Sequence, residues 1–407
     1  MRRNKSIILL SAGHACVDVY QGAVASLVPF FVAERAYSYA AASGIVLAAS
    51  LLSSVAQPLF GVLTDRRPVP WLLPVSTLLG GTGIALSGLW DSYALTLGLM
   101  ALSGVGVAAY HPESARVARL AAQGRHTAMG WFSLGGTLGF AAAPLLVAAV
   151  VATGGLRLTP LLVIPAVVGS ALCLPALRAL HGPKGGGCDA PSAVAHDDPR
   201  SFVRLSLAVV CRSITFIGLS TFVAFHVMER TGGGTAAGSA ALFVLYAGGA
   251  VGSVVGGVLA ERRDRVTVVR RSYLLTVVAV AGVVLVPGPV VYVFVALASA
   301  GLYVPFSLQV TLGQDYLPTR VGTAGGITLG LTVSVGGLAT PVIGAVADAS
   351  SLQTALAPLA VLPALGWLLV RGLREPSGVV AGPDGEVTAR RHSEGLAGRG
   401  ETRGPEG

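Results

Sequence analysis

The chain has 407 residues, 53% of them hydrophobic and only 12% charged, with a formal net charge of +9 and a mean hydropathy of +0.73. A soluble globular domain carries about 25% charged residues, so this composition leaves too little polar surface for a soluble body of this size. The positive charge calls for no nucleic acid, because membrane topology and contact with anionic lipid account for it.

Apolar runs of about 20 residues, each long enough to cross a hydrocarbon core of about 30 Å as a helix, recur along the whole chain. Twelve are predicted, at 6–33, 39–63, 70–89, 92–115, 127–151, 157–180, 202–228, 237–260, 267–287, 289–312, 322–346 and 353–371. The expected fold is an all-α membrane protein of twelve transmembrane helices in two pseudo-symmetric six-helix bundles. Residues 1–180 form the first bundle, 181–201 a Gly- and Pro-rich cytoplasmic linker, 202–372 the second bundle and 373–407 a disordered tail.

The first run begins with Met1 to Lys5 and Ile7 to Leu10 like a signal peptide, but it continues to Phe31 and carries His14, Asp18 and Gln21. It reads as an uncleaved span. His14 and Asp18 lie four apart on one helical face, and Gln21 continues that face. A carboxylate near the middle of a membrane costs at least about 2.5–3.5 kcal/mol to insert, so Asp18 must face a cavity or a partner. It is a candidate proton carrier, with a plain hydrogen bond to a neighbouring helix as the alternative.

After the second run stands Gly61-Val62-Leu63-Thr64-Asp65-Arg66-Arg67. The phrase returns 196 residues later as Gly257-Val258-Leu259-Ala260-Glu261-Arg262-Arg263. A glycine lets two backbones approach, and an acid with arginines can tie helix ends together at the water surface. Gly61, Asp65, Arg66, Gly257, Glu261 and Arg262 are therefore candidate gating residues. The duplication points to a transporter built from two related halves.

In the fourth run His111 and Glu113 flank Pro112, which removes a helical hydrogen bond and invites a kink. Residues two apart need not share a face. Glu113 is a candidate for proton work, with an ion pair to Arg116 at i, i+3 as the alternative; His111 is a candidate for substrate binding. Arg212 stands alone among the arginines in lying well inside a span, the seventh. Its fixed charge demands a carboxylate on another helix, a carbonyl cage or an anionic substrate. Gln309, with Tyr303 and Gln314, offers weaker cavity hydrogen bonding, and His226 and Glu229 read as surface residues. Cys16, Cys173, Cys188 and Cys211 form no C-x-x-C pair and read as small structural residues. Patterns such as Gly248/Gly252/Gly256 pack helices.

With both ends on one side, 24 of the 28 Lys and Arg fall on the side of the termini. The positive-inside rule then places both termini in the cytoplasm of a cell that carries the protein in its plasma or inner membrane. G-x-x-x-x-G-K-[ST] is absent, so energy for transport must come from an ion or substrate gradient.

Twelve runs in two halves, with the 61–67 phrase repeated, resemble the major facilitator superfamily, whose signature joins spans two and three and recurs between eight and nine. The later glycine and basic residues of that signature are replaced here by Pro68-Val69-Pro70, and Glu261 stands for the usual aspartate. A narrower resemblance is carried by His14-Ala15-Cys16-Val17-Asp18-Val19-Tyr20-Gln21-Gly22, by Tyr110-His111-Pro112-Glu113-Ser114-Ala115-Arg116, and by Gly135-Gly136-Thr137-Leu138-Gly139. These are similar to fosmidomycin-resistance-type efflux transporters. The resemblance implies proton-coupled export of drugs or small metabolites, a phosphonate antibiotic among them, through a cavity lined by spans one, four, seven and ten.

The expected function is therefore secondary active export of a small drug-like or anionic solute by alternating access, with import or facilitated diffusion on the same fold as the alternative. The expected partners are a small-molecule substrate, protons and membrane lipid, with no nucleic acid, and the expected state is a monomer. No cofactor is expected. No metal site is expected either, since no H-x-x-x-H or H-E-x-x-H helix occurs, and a membrane enzyme or a non-transporting sensor is disfavoured.

Overall fold

A computed structural model describes residues 2–67, 69–122, 126–180 and 197–376. Among the described residues, ten helices are long and apolar enough to cross a membrane, and the shorter apolar helices Leu72–Leu86 and Val335–Ala349 mark the other two spans. The first bundle contains α1 (Arg2–Arg35), α2 (Tyr39–Arg66), α3 (Leu72–Leu86), α4 (Tyr93–Ala122), α5 (His126–Gly154) and α6 (Ile164–Leu180), the last entered through a 3-10 turn at Leu156–Val163. The second contains α7 (Pro199–Thr231), α8 (Thr235–Arg262), α9 (Arg265–Leu285), α10 (Val291–Tyr303), α11 (Phe306–Tyr316), α12 (Val321–Ala349), α13 (Leu352–Leu356) and α14 (Val361–Val370). The tenth span is thus split into α10 and α11, because Pro305 has no N–H to continue the ladder. The seventh begins at Pro199, earlier than the sequence predicts: the Asp198 side chain accepts from Ser201 N, and proline suits the first helical position. Most of the expected linker (181–196) and tail (377–407) lies outside the described residues.

Glycine sets how closely the helices approach. A Cβ on Gly135 would stand 2.2 Å from the Ser11 carbonyl oxygen, and one on Gly139 would stand 1.9 Å from that of Ala15, so α5 lies backbone to backbone against α1. A Cβ on Gly336 would similarly stand 2.6 Å from the Ser213 carbonyl oxygen, closing α12 on α7. Gly104 meets Ala49 where α4 crosses α2, and Gly256 meets Val304 where α8 crosses the end of α10. Lipid tails supply no hydrophobic drive between helices, so close van der Waals fit at such seams provides the adhesion. The seams recur in corresponding places of the two bundles, the packing counterpart of the sequence repeat.

The bundles meet chiefly through two pairs of helices, α2 with α12 and α5 with α8, while α1 also touches α7 and α8. Exchanging the bundles turns span two into span eight and span eleven into span five, so the two contacts are pseudo-equivalents. Among the described residues, the hydrogen bonds between the bundles all lie on the side away from the chain ends. There the Asp348 carboxylate accepts from Tyr39 N at 2.8 Å and Ala40 N at 2.9 Å. Tyr39 Oη donates to Glu229 at 3.4 Å, and Thr340 reaches the Ser43 carbonyl at 3.5 Å. At the opposite ends of α2 and α8, Gly61 and Gly257 have open space where a Cβ would stand. Among the described residues, the bundles are tied together at the far side.

A carboxylate on the first N–H groups of a helix contributes about 1 kcal/mol. Asp348→Ala should therefore raise the population with an open far side about fivefold. Spin-label distances between the far ends of α2 and α12 should lengthen, and those between Gly61 and Gly257 positions should shorten. Unchanged distributions would remove Asp348 as the latch.

Candidate functional site

Between the bundles lies a cavity of about 380 Å³, within the usual range for a small-molecule site. Its walls come from α1, α4, α7 and the broken tenth span, as the sequence resemblance implies, and also from α2, α5, α8 and α12. The latter four form the main contacts between the bundles, so they necessarily border the space those contacts flank. Val24, Phe140, Phe216, Tyr246, Tyr303 and Phe306 supply an apolar surround, and Ser50, Ser53, Gln57 and Thr137 add polar groups toward α2 and α5.

One wall of the cavity carries three ionisable side chains. His14 and Asp18, 8% and 9% exposed, project from the same face of α1, with His14 Nε2 at 3.4 Å from Asp18 Oδ2. His111 comes from α4 and places its Nε2 3.2 Å from Asp18 Oδ1. The rings are held from behind: His14 Nδ1 donates to the Phe132 carbonyl at 2.9 Å, and His111 Nδ1 to that of Val107 at 2.7 Å. Phe132 also stacks on His14 with centroids 4.3 Å apart. Gly136 makes room, since a Cβ there would stand 2.5 Å from Asp18 Oδ2 and 2.6 Å from His14 Cε1. The nearest metal-ligating atoms of His14, Asp18 and His111 all lie within 4.8 Å of one another.

Facing this wall, Arg212 enters from α7 and is 3% exposed. Its Nη1 donates to the Leu302 carbonyl at 3.3 Å and Nη2 to Thr332 at 3.1 Å. The guanidinium lies 5.1 Å from the Phe306 ring centroid, and Nε has no hydrogen-bond partner. Among the described residues no carboxylate lies within ion-pair distance of it. The arrangement is a partial cage of one carbonyl and one hydroxyl that leaves part of the guanidinium's five donors unused, on a residue that lines the cavity.

The remaining sequence candidates separate from this site. Gln21 lines the cavity one turn beyond Asp18. Glu113 is fully buried and faces away, held by Arg116 through two hydrogen bonds, Nε to Oε2 at 2.9 Å and Nη2 to Oε1. Gln309 is buried behind the wall, its Nε2 donating to Tyr273 Oη at 2.9 Å. Tyr303 does line the cavity. Glu261 and Arg262 are exposed, and the side chains of Asp65 and Arg66 lie outside the described set. His226, read as a surface residue, is buried instead, its Nε2 donating to the Val283 carbonyl at 2.9 Å. That face of α7 turns inward onto α9, a tertiary choice that position near a helix end does not reveal.

A polytopic bundle pair with a central, largely apolar cavity that carries a few ionisable side chains defines a membrane transporter and not an enzyme. The model of the Major Facilitator Superfamily matches residues 10–341, and the chain belongs to that family of transporters. It is 28% identical over 373 residues to the fosmidomycin resistance protein of Escherichia coli (strain K12), covering 89% of this chain and 91% of that one. It is also 28% identical over 383 residues to the uncharacterized MFS-type transporter YfnC of Bacillus subtilis (strain 168), with the same coverage. Among solved structures, a bacterial homologue of the human lysosomal transporter Spinster, in an inward-facing and unoccupied conformation, superposes with a TM-score of 0.72 at 16% identity, over 91% of this chain and 97% of that one.

Gly136→Ala tests the space that the triad occupies. The new methyl must displace the Asp18 carboxylate or the His14 ring, an overpacking that costs about 1–3 kcal/mol. Transport in sealed vesicles should fall at least tenfold with the protein still folded in the membrane. Gly130→Ala, which meets open space, should transport normally; equal activity of the two variants would dismiss the packing argument.

Proposed function

We propose that the protein exports a small anionic or drug-like solute in exchange for protons, by alternating access of the halves 1–180 and 202–372 to the two sides of a plasma or inner membrane with both termini cytoplasmic. The observation that carries this reading is the pairing, across one cavity, of a buried carboxylate between two imidazoles with a buried guanidinium that has no acid partner among the described residues. The carboxylate offers a place for a proton that is exchanged when the cavity changes sides. The guanidinium offers an anion a planar fork with an unused donor. The similarity to a protein named for fosmidomycin resistance supports export, and supports a phosphonate as a first substrate to try. His14 and His111 would hand the proton to and from Asp18, and Gln21 would hydrogen-bond the solute. The exposed Glu261 and Arg262 at the end of α8, with Asp65 and Arg66 at the equivalent end of α2, would close the cytoplasmic side when the latch at Asp348 opens. Glu113, paired with Arg116, would brace α4 beside Pro112 behind the site, and Gln309 would hold α11 against α9.

Asp18→Asn removes titration with little change in shape. It should abolish uphill export driven by a pH gradient and leave part of the exchange driven by the solute's own gradient. An uncoupler should affect the wild type and not the variant. Full concentrative export by Asp18→Asn would pass the role to Glu113, and equal indifference of Glu113→Gln would leave a facilitator.

Arg212→Lys keeps the charge and loses the fork. The substrate concentration for half-maximal export should rise more than about tenfold while coupling to the pH gradient persists. An unchanged concentration dependence would rule out anion binding at Arg212.

A further inference from the structure

Each imidazole of the triad has committed its Nδ1 to a backbone carbonyl. A carbonyl oxygen only accepts, so both Nδ1 atoms carry hydrogen, and a neutral ring then presents Nε2 as a bare lone pair. Both Nε2 atoms face the Asp18 carboxylate, at 3.4 and 3.2 Å. Electron-pair donors thus converge from two helices, and His14 Nε2 and Asp18 Oδ1 are buried with no aligned hydrogen-bond partner. Such a cluster is balanced by a cation placed among the three.

The geometry points to a divalent transition-metal site of the zinc class formed by His14, Asp18 and His111 in the cavity wall. Several features agree. A metal-bound histidine characteristically donates its other ring N–H to a carbonyl or carboxylate, which fixes tautomer and orientation, as both rings are fixed here. Two imidazoles and one carboxylate suit a borderline ion such as zinc, whereas magnesium and calcium require oxygen ligands. Each imidazole meets its own oxygen of the carboxylate, His14 Nε2 at 3.4 Å from Oδ2 and His111 Nε2 at 3.2 Å from Oδ1, and the nearest ligating atoms of all three residues lie within 4.8 Å of one another, so zinc bonds of about 2.0–2.2 Å need only a small inward shift of the side chains. Three protein ligands leave a fourth position for a water or a solute oxygen, and the triad lines the same cavity as Arg212. The absence of a metal motif in the sequence does not bear on this set, because its ligands come from α1 and α4 and no spacing within one helix records them. A bound ion would tie α1 to α4 and occupy the lone pairs of Asp18, so zinc should block export. The inference rests on the geometry of the triad and not on proton coupling.

The test uses the full chain purified in detergent, stripped with a chelator, and titrated with zinc in competition with a chromogenic chelator. One zinc ion per chain is expected, with binding weakened more than about tenfold in His14→Gln and in His111→Gln, at least the loss that removing even a supporting partner causes. His226→Gln should bind zinc as the wild type does. Cobalt loaded in place of zinc should give the visible bands of a four-coordinate site in the wild type and none in Asp18→Asn. Equal zinc binding by the His14→Gln/His111→Gln double variant would move the ion to other histidines or to Cys188 and overturn the site. So would a wild type that neither competes for zinc nor shows the cobalt bands. Export driven by a pH gradient, measured in excess chelator, is scored separately, so that proton coupling and metal binding fail independently.

Discussion

The constraint on which the site depends is the buried charge of Asp18. A carboxylate removed from water must be paired or neutralised, and the groups nearest to it are two imidazoles whose donors are already spent on backbone carbonyls. Whatever positive species enters, a proton or a metal ion, is held by helices from different parts of the first bundle. The second bundle contributes the opposite sign. The offset of 196 residues that relates the repeated loops places Arg212 opposite Cys16, half a turn from Asp18. Each bundle thus places one buried charge at the cavity wall, at nearly the same depth of its first helix, and neither of these two finds an ion-pair partner within its own half among the described residues, except where the imidazoles are charged. A solute that carries an anion to Arg212 therefore completes an electrostatic arrangement that the protein leaves unfinished.

Seams of glycine make this arrangement rigid. Where α5 meets α1, two glycines bring backbones into contact, and a third, Gly136, opens the space that the Asp18 carboxylate and His14 ring fill. The same residue type therefore sets helix spacing and shapes the site. A one-methyl change would trade one for the other.

Much of the fold was legible in the sequence because its signals are local. Run length located the spans, and the repeat of Gly61 to Arg67 at Gly257 to Arg263 established two halves. His14 and Asp18 could be paired from their four-residue spacing, and Arg212 stood out because a guanidinium inside an apolar run needs an explanation. What escaped was decided by contacts between helices. Two residues flanking Pro112 turn opposite ways, so that His111 joins Asp18 while Glu113 is taken up by Arg116. Gln309 faces Tyr273 across a helix seam instead of the cavity, and His226 turns onto α9. The break at Pro305 was written in the chain as a proline, yet only its placement between Tyr303 and Phe306, both at the cavity wall, gives it a role in shaping the site.

The closure at the far side has a consequence for the medium outside it. Asp348 is exposed and binds backbone N–H groups rather than a second charged side chain. Its attraction is to the partial positive end of a helix, and such an interaction is screened by salt over a Debye length of about 8 Å at physiological ionic strength. The charges at the cavity wall are shielded from that medium by burial. Raising the salt on the far side alone should therefore loosen the closed state while leaving the buried charges at the cavity wall unscreened.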